Sequence, residues 1–288
     1  MEYVILSNGV KMPMLGYGVY QIQPSECECC VLEALHSGYR LLDTAQSYFN
    51  EEQVGNAIRK SGIPRSEIFL TTKVWIEHYG YEATKECVLE SMRKLQTDYL
   101  DLVLLHQPFS DYYGAYRTLE DLYDEGKLRA IGVSNFYPDR LVDLASFSRI
   151  RPMVNQVEIH PHHQQTKAKE WMDKYHVQAE AWAPFGEGRG GIFGDSKLLE
   201  IGQKYKKTPA QVILRWHLQR GIVVIPKSTH LERMQENFNV FDFELSSEDM
   251  KAISEMDQEK SSFFSHQDPG TVEWFVKMVE ERRTSSNV

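Results

Sequence analysis

Short hydrophobic runs recur along the chain and alternate with stretches in which apolar residues have helical spacing. Each run is continuous rather than alternating, which is typical of parallel strands buried on both faces. Eight runs therefore predict eight strands, at Leu15–Val19, Tyr39–Leu42, Ile68–Thr72, Leu100–Leu105, Ala130–Val133, Val154–Ile159, Val177–Trp182 and Ile222–Ile225.

The segments between these runs carry the start and stop signals of helices. The first begins at Pro24 and ends before Gly38, in line with the preference for Pro in the first helical turn and Gly after the last. The pattern predicts helices at Pro24–Ser37, Glu51–Lys60, Tyr81–Leu95, Ala115–Glu125, Pro138–Phe147, Thr166–Tyr175, Ser196–Lys206 and Thr208–Gln219, followed by Leu231–Phe238 and Ser246–Met256 after the eighth strand.

Regular alternation of strand and helix indicates a parallel sheet, and eight units in 288 residues favour a closed (β/α)8 TIM barrel. A doubly wound open sheet is the alternative. Asn8-Gly9 lies between two short apolar segments and favours a type I′ turn, so an N-terminal β-hairpin is expected. The barrel would also carry extra C-terminal helices. Because no linker divides the chain, we expect one domain over residues 1–288, with a frayed tail at 282–288.

Composition places the chain among ordinary soluble proteins, with 42% hydrophobic and 25% charged residues. A net charge of −9 argues against a general nucleic-acid binder. No apolar run approaches the ~18–20 residues that cross a bilayer, and the start does not resemble a signal peptide. We therefore expect a cytoplasmic protein, a monomer without membrane or nucleic-acid partners. Its four cysteines are expected to be reduced thiols, although Cys27-x-x-Cys30 matches half of a redox or metal motif: Cys27, Cys29, Cys30 and Cys87.

Polar residues follow nearly every predicted strand, at the end where such barrels carry their active sites. Asp43 ends the second strand, Tyr48 lies in the next loop, Lys73 ends the third and His106 the fourth. A nearby ammonium lowers the pKa of a phenol, so Lys73 is expected to act on Tyr48 and to be held by Asp43. His106 would donate a hydrogen bond to a substrate oxygen. The set suits protonation of a carbonyl oxygen during hydride transfer.

Each of these residues, taken alone, also has a structural explanation. Asp43 could cap a helix, Tyr48 and His106 could belong to the core, and Lys73 could be a surface charge. A Schiff-base lyase with Lys73 or Lys227 as nucleophile is a second hypothesis, and a non-catalytic nucleotide-binding subunit is a third. Placement of four such residues on adjacent strand ends favours carbonyl chemistry.

Two cations and two hydroxyls follow the eighth strand and lead into a helix: Lys227, Ser228, Thr229 and Arg233. Loops after strands seven and eight of such barrels commonly bind phosphate, and a helix N-terminus adds unpaired N–H groups. Arg binds phosphate through two parallel hydrogen bonds, while Lys acts as a point charge. A local basic cluster in an acidic chain indicates a specific anion site, with a solvated basic face as the alternative.

Six separated blocks resemble the motifs of the aldo-keto reductase family, in the family's order. They are Gly38–Glu51, Thr71–Trp75, Leu104–Pro108, Gly132–Phe136, Asn155–Glu158 and Ile225–Ser228, the last with Arg233 and Glu236-Asn237. The resemblance covers nearly the whole chain. It implies an NADPH-dependent carbonyl reductase on a (β/α)8 barrel, similar to the compact microbial branch that acts on diketo-sugars, methylglyoxal and other aldehydes.

The resemblance also implies roles. Tyr48 would be the proton donor, Lys73 would lower its pKa, Asp43 would hold Lys73, and His106 would orient the carbonyl. Trp182 would stack on the nicotinamide, where the family usually has Tyr. The remaining implied contacts to NADPH, with its 2′-phosphate on the basic cluster, are Gly18, Val19, Tyr20, Ser134, Asn135, Gln156, Pro184, Phe185, Lys227, Ser228, Thr229, Arg233, Glu236 and Asn237.

The predicted substrate pocket is mostly aromatic and suits a compact carbonyl compound with apolar surface. Its residues are Tyr20, Phe49, Trp75, His106 and Gln107. The family often has Trp where this chain has Gln107, which makes the pocket more polar. Because the C-terminus is shorter than in the family's longer animal members, the tail is expected to contribute less to substrate choice.

Two further patterns have competing interpretations. Gly186, Gly188 and Gly191 match G-x-G-x-x-G, but no helix opens at these glycines as a dinucleotide fingerprint requires. In the family that this chain resembles, the loop after strand seven folds over the cofactor pyrophosphate, so we interpret the glycines as hinges of a lid. His160, His162 and His163 with nearby Glu158 suggest a metal, but His160-Pro161 is usual in the family and no metal is expected.

Overall fold

Ten strands are present in the computed structural model of the protein, which describes residues 1–285. They are β1 (Tyr3–Ile5), β2 (Lys11–Pro13), β3 (Tyr17–Gly18), β4 (Leu41–Asp43), β5 (Phe69–Val74), β6 (Leu102–Leu105), β7 (Ile131–Ser134), β8 (Val154–Glu158), β9 (Gln178–Trp182) and β10 (Val223–Val224). β1 and β2 pair antiparallel, and β3 to β10 form a parallel sheet in chain order. All eight predicted strands are thus confirmed.

The parallel sheet closes on itself. Leu15 forms a parallel bridge with Val224. The amide of Gly16 donates to the carbonyl of Val224 at 2.8 Å, and the amide of Val224 donates to the carbonyl of Met14 at 2.9 Å. Closure confirms the predicted (β/α)8 barrel and excludes the open doubly wound sheet.

The strands are buried on both faces, which explains their continuous hydrophobic runs. Every residue of Phe69–Val74 is buried, for example. Close packing inside the barrel also requires a glycine at position 132. A Cβ atom on Gly132 would lie 2.5 Å from the carbonyl oxygen of Val154 and 2.8 Å from a methyl carbon of Leu104. A larger residue would push β7 and β8 apart.

Helices follow the strands as the sequence indicates. They are α1 (Pro24–His36), α2 (Glu51–Lys60), α3 (Tyr81–Leu95), α4 (Tyr112–Asp124), α5 (Pro138–Phe147), α6 (Thr166–Lys174), α7 (Ser196–Tyr205), α8 (Pro209–Gln219), α9 (Leu231–Phe238), α10 (Ser247–Ser254) and α11 (Pro269–Ser285). α4 begins three residues before the predicted Ala115, because the Asp111 carboxylate accepts the amide of Gly114 and caps the helix there.

The hairpin is present, but its turn differs from the prediction. The amide of Leu6 donates to the carbonyl of Val10 at 2.9 Å, and the amide of Gly9 donates to the carbonyl of Leu6 at 2.8 Å. Gly9 has a φ of +87°, whereas Asn8 is not in the positive-φ region that a type I′ turn requires. The connection is therefore a three-residue loop. In this loop the side-chain amide of Asn8 donates to the carbonyl of Arg129 at 2.8 Å, across the N-terminal end of the barrel.

The last helix, α11, is absent from the sequence-based prediction. It extends to Ser285, so residues 282–285 of the predicted frayed tail are helical, and the rest of that tail lies outside the described residues. Phe275 anchors the helix, with its ring 5.6 Å from Trp75 and 5.4 Å from Phe109. The helix therefore covers part of the C-terminal end of the barrel. That the chain forms one domain stays a prediction.

Within residues 1–285, no helix is long and apolar enough to span a membrane. The four cysteines are free thiols, and Cys29 is the exposed one. Cys27 and Cys30 face the core from α1, so burial raises the pKa of both thiols and keeps them protonated.

Candidate active site

A cleft of about 830 Å³ opens at the C-terminal ends of the strands. Asp43 ends β4, Tyr48 lies in the short 3₁₀ turn after it, Lys73 lies near the end of β5, and His106 follows β6. Because these strands are parallel neighbours, the four side chains meet at one end of the barrel. The rings of Tyr48 and His106 are 5.7 Å apart.

Lys73 lies at the centre of this group and is 1% exposed. Its Nζ is 2.5 Å from Asp43 Oδ1, 3.0 Å from the carbonyl oxygen of Thr44 and 3.3 Å from the hydroxyl oxygen of Tyr48. Burial alone would lower the pKa of Lys73, but the Asp43 carboxylate and the Tyr48 hydroxyl more than offset it, and the net direction is upward. The ammonium is therefore charged, and its three N–H groups each have an oxygen partner.

Tyr48 keeps its proton in this setting. Burial raises its pKa to about 12, although the charge of Lys73 lowers it, as the sequence predicts. Lys73 thus acts in the predicted direction, but the net shift is upward because the cost of burying a phenolate exceeds the stabilisation by Lys73. A protonated phenol next to a fixed cation is suited to donate a proton.

His106 is neutral. Burial, reinforced by the charge of Lys73, holds its pKa well below the usual range of an imidazole. The ring lies edge-on to Trp75 at 4.9 Å, and Nδ1 is 3.5 Å from Ser47 Oγ. A neutral imidazole has one N–H to donate, so His106 offers the cleft a hydrogen bond without a positive charge.

A hydrogen-bonded shelf of amides lies beside this group. Trp182 Nε1 donates to Asn135 Oδ1 at 2.9 Å, and Asn135 Nδ2 lies 3.1 Å from the carbonyl oxygen of His106. Ser134 Oγ donates to the carbonyl of Gln156 at 2.8 Å. These side chains line the cleft, and that they hold a carboxamide stays a prediction.

Below the shelf, Gln156 joins two carboxyl groups. Its Nε2 lies 2.8 Å from Asp43 Oδ2 and 3.0 Å from Glu180 Oε2. Burial, together with the negative charge of Asp43, raises the pKa of Glu180 to about 8, so this carboxyl is protonated at neutral pH. The sequence analysis did not identify Glu180. A charged residue inside a continuous strand run was the available signal.

The predicted anion site lies at the rim, between β10 and α9. Lys227 and Arg233 are exposed, and neither makes an ion pair within the described part of the chain. α9 begins at Leu231, and no side chain caps its first backbone N–H groups. Ser228 Oγ accepts the amide of His230 at 3.1 Å. An exposed cation thus precedes an uncapped helix N-terminus and a second lies in its first turn, an arrangement that suits a phosphate.

The other predicted residues divide between the cleft and its surroundings. Those in the cleft wall include Gly18, Tyr20, Trp75, Gln107, Pro184, Phe185 and Lys227. The structure does not place Val19, Phe49, Ser228, Thr229, Arg233, Glu236 or Asn237 in that wall. Val19 is fully buried, whereas the Phe49 side chain is 65% exposed. The Glu236 carboxylate accepts from Thr208 Oγ1 at 2.7 Å.

The C-terminal segment forms a wall that the sequence analysis missed. Its cleft-lining residues are Phe263, Phe264, Trp274, Phe275, Met278 and Arg282. The C-terminal segment is therefore part of the cleft wall, and the smaller contribution of the tail to substrate choice stays a prediction. Two aromatic pairs followed by a methionine at helical spacing were the available signal. The segment is also tied to the loop after β9, because Arg189 Nη1 donates to the carbonyl of Ser262 at 2.7 Å.

The glycine-rich segment after β9, Gly186–Gly194, forms kinked 3₁₀ turns and opens no α-helix at its glycines. Gly186, Gly188, Gly190 and Gly191 all have positive φ, and α7 begins only at Ser196, capped by the Asp195 carboxylate. The segment is thus not a dinucleotide fingerprint, as the sequence indicated. Glu187 and Arg189 of this loop line the cleft. Closure of the loop over a pyrophosphate stays a prediction.

The histidines after β8 have structural contacts. His160 Nε2 is 2.9 Å from Glu158 Oε1, which also accepts the amide of Ser262 at 2.8 Å. Ser261 Oγ donates to Glu158 Oε2 at 2.6 Å. These bonds attach the C-terminal segment to the end of β8. Within residues 1–285, no group of three or more His, Cys, Asp or Glu side chains is arranged to hold a metal ion.

Comparison with known proteins agrees with the fold. The Aldo/keto reductase family matches residues 12–190 and 194–258. The chain is 47% identical over 260 residues to the 9,11-endoperoxide prostaglandin H2 reductase of Trypanosoma cruzi, covering 89% of this chain and 92% of that protein. It is 46% identical over 261 residues to the glyoxal reductase of Bacillus subtilis, covering 90% and 94%.

Among solved structures, the Bombyx mori aldo-keto reductase in complex with NADP is 31% identical and superposes with a TM-score of 0.87, covering 91% of this chain and 95% of that one. The chain belongs to the Aldo/keto reductase family. It is an NADP(H)-dependent oxidoreductase.

Proposed function

We propose that the chain reduces a small aldehyde, α-dicarbonyl compound or keto-sugar to an alcohol with NADPH, and that Tyr48 is the proton donor. The observation that carries this proposal is the buried Lys73 ammonium held between Asp43 Oδ1 at 2.5 Å and the Tyr48 hydroxyl at 3.3 Å. Such a cation stabilises the phenolate left after proton transfer. Relatives named glyoxal reductase and methylglyoxal reductase support the substrate class.

The chain's own residues would orient and protonate the substrate. The reacting carbonyl oxygen would accept hydrogen bonds from the Tyr48 hydroxyl and the neutral His106 N–H. As negative charge develops on that oxygen, the Tyr48 proton moves to it, and the phenolate forms next to Lys73. Asp43 keeps Lys73 in place throughout. His106 would remain neutral, because its lowered pKa disfavours the cation.

NADPH, when bound, supplies the hydride. Ser134, Asn135 and Gln156 would hold its carboxamide, because they form a fixed shelf in the cleft wall. Trp182 would stack on the nicotinamide. Lys227 and Arg233 would hold the 2′-phosphate, since they make no ion pair with described residues and lie near an uncapped helix N-terminus.

The geometry disfavours a Schiff-base lyase. An amine nucleophile must be neutral, and active-site lysines of this kind have a lowered pKa. The pKa of Lys73 is instead raised, and its three N–H groups are engaged by oxygens. Lys227 lies at the rim, in the proposed phosphate site. A monomeric, cytoplasmic protein without a nucleic-acid partner stays a prediction.

The role of Tyr48 is tested by Tyr48→Phe. The variant keeps the ring and its contact with Tyr20 at 4.9 Å but loses the transferable proton. We expect kcat with methylglyoxal and NADPH to fall by about 10²–10⁴-fold, the contribution of a positioned general acid. The Kd for NADPH, measured by fluorescence titration, should stay close to the wild-type value. A variant that retains wild-type kcat would rule out Tyr48 as the donor.

A further inference from the structure

The side chain of Gln107 places an NH₂ group without a hydrogen-bond partner among the described residues in the active-site cleft. The residue follows His106, lines the cleft and is 5% exposed. Its Oε1 lies 3.4 Å from Asn135 Nδ2, while its Nε2 makes no hydrogen bond with any described residue. The N–H₂ group is open to the cleft, so a ligand that displaces solvent there must accept from it or leave it unpaired at a cost.

The orientation of this amide follows from a chain of donors. The indole N–H of Trp182 can only donate, so the group it meets at 2.9 Å must be the Asn135 oxygen. Asn135 therefore presents its NH₂ group to the His106 carbonyl oxygen at 3.1 Å, to Ser134 Oγ at 3.2 Å and to Gln107 at 3.4 Å, and Gln107 turns its oxygen towards it. The Gln107 NH₂ group is then left to face the cleft. Flipping either amide would place two donors or two acceptors together.

The backbone of Gln107 is fixed as well. The Tyr79 hydroxyl donates to the backbone carbonyl of Gln107 at 2.9 Å and accepts a hydrogen bond from its backbone N–H at 3.0 Å. Tyr79 is itself buried, and burial raises its pKa, so the hydroxyl stays protonated and able to do both. The backbone that carries the Gln107 side chain is thus held before a substrate binds, and the contact of Oε1 with Asn135 directs the side-chain amide.

We propose that Gln107 is a specificity-determining residue whose Nε2 donates a hydrogen bond to a second oxygen, on the carbon next to the reacting carbonyl. The inference rests on the proposed function, because Tyr48 and His106 hold the reacting oxygen. Substrates with two neighbouring oxygens, α-dicarbonyl and α-hydroxycarbonyl compounds, satisfy all three donors. A simple ketone or aldehyde leaves the Gln107 donor unpaired, and a site with an unpaired buried polar group disfavours such a substrate.

The test compares two pairs of substrates that differ by one oxygen: 2,3-butanedione with 2-butanone, and acetoin with 2-butanone. Gln107→Met keeps a side chain of similar length and removes the amide. We expect the ratio of kcat/KM for the oxygenated compound to that for 2-butanone to fall about tenfold, the usual effect of one hydrogen bond. Intrinsic reactivity differs between the compounds but cancels when variant and wild-type ratios are compared. Most of the change should appear in KM, since the second oxygen does not react.

Two more variants complete the design. Gln107→Glu retains an oxygen for Asn135 but replaces the donor, so its ratio should also fall. Gln203→Met makes the same chemical change on the exposed face of α7, outside the cleft wall, and its ratio should match wild type. The Kd for NADPH is measured for every variant. If Gln107→Met also weakens NADPH binding, its lower ratio can come from a disturbed Asn135. Gln107→Glu keeps an oxygen for Asn135, so its ratio then reports the loss of the donor.

An unchanged ratio in Gln107→Met with unchanged NADPH binding overturns the inference, as does an unchanged ratio in Gln107→Glu. A lower ratio in both supports it. Failure of the proposed function has a different outcome: the wild-type protein would oxidise NADPH with none of the three compounds. The two failures are therefore distinguishable in one set of measurements.

Discussion

The buried ammonium of Lys73 acts on two neighbours with different consequences. Burial raises the pKa of Tyr48 and the charge of Lys73 partly opposes it, whereas burial lowers the pKa of His106 and the same charge lowers it further. For the phenol this charge stabilises the anion that remains after a proton is given up. For the imidazole it disfavours the cation and leaves a neutral N–H donor. One fixed charge thus favours proton donation by Tyr48 and keeps His106 a neutral hydrogen-bond donor.

A single residue also carries a prediction about cofactor choice. In Arg233→Ala the proposed contact to the 2′-phosphate is lost, so the Kd for NADPH should rise about tenfold or more, as for a charge-assisted hydrogen bond. The Kd for NADH, which lacks this phosphate, should change little. Fluorescence titration with both dinucleotides measures the difference.

Two matched variants serve as controls. Glu232→Ala alters the neighbouring exposed position of α9 and should leave the NADPH to NADH ratio near wild type. Arg233→Lys retains the charge and should recover part of the affinity. Equal weakening of both dinucleotides in Arg233→Ala would contradict the assignment of the phosphate.

At the scale of an element, α11 packs on the end of the barrel that holds the cleft. Phe275 is 3% exposed and contacts the rings of Trp75 and Phe109, whereas the side chain of Val276, the next residue, is 51% exposed. The helix therefore depends on a narrow contact face for its docking. Because the same face lines the cleft, docking of α11 and shape of the substrate pocket are coupled.

Phe275→Ala should loosen α11. Removal of a buried ring costs about 3 kcal/mol or more when the cavity does not collapse, and a terminal helix can instead detach locally. We expect faster hydrogen exchange of the amides in Pro269–Ser285 and a higher KM for apolar aldehydes. Val276→Ala changes an exposed side chain of the same helix and should alter neither. Wild-type exchange in Phe275→Ala would show that other contacts hold the helix.

At the scale of the whole molecule, buried ionisable groups set how stability depends on pH. Burial lowers the pKa of His217 to about 3 and of His266 to about 4. The unfolded chain binds these protons near pH 6.5, so the free energy of unfolding falls as pH drops below that value. Glu180 acts in the opposite direction. The folded state keeps its proton up to about pH 8 while the unfolded state releases it near pH 4.3, so stability falls as pH rises.

These signs predict maximal stability near pH 6.5. Of these three groups, Glu180 is the one that still acts above that pH, and Glu180→Gln should remove its effect while keeping an oxygen for Gln156. Urea unfolding at pH 5, 6.5 and 8 should show that wild type loses about 1–2 kcal/mol between pH 6.5 and 8 relative to Glu180→Gln. Glu170→Gln, at an exposed site on α6, should behave as wild type. Parallel pH profiles for wild type and Glu180→Gln would contradict an uncharged Glu180.

The sequence by itself determined the order of strands and helices, the barrel and the strand-end positions of Asp43, Tyr48, Lys73 and His106. Hydrophobic periodicity and helix start and stop signals are local, and in a parallel barrel the chain order of the strands is also their spatial order. Residues that end neighbouring strands must then meet. No long-range contact has to be known for that argument.

Only the tertiary structure decided the features that depend on contacts between distant residues. Phe275 docks α11 on Trp75, and burial reverses the net pKa shift that Lys73 alone would give Tyr48. Gln156 meets Glu180, and Trp182 sets the orientation of Gln107 only through Asn135. Desolvation and hydrogen-bond direction are properties of the assembled cleft, because each depends on which groups surround an atom in space and not on its neighbours in the chain.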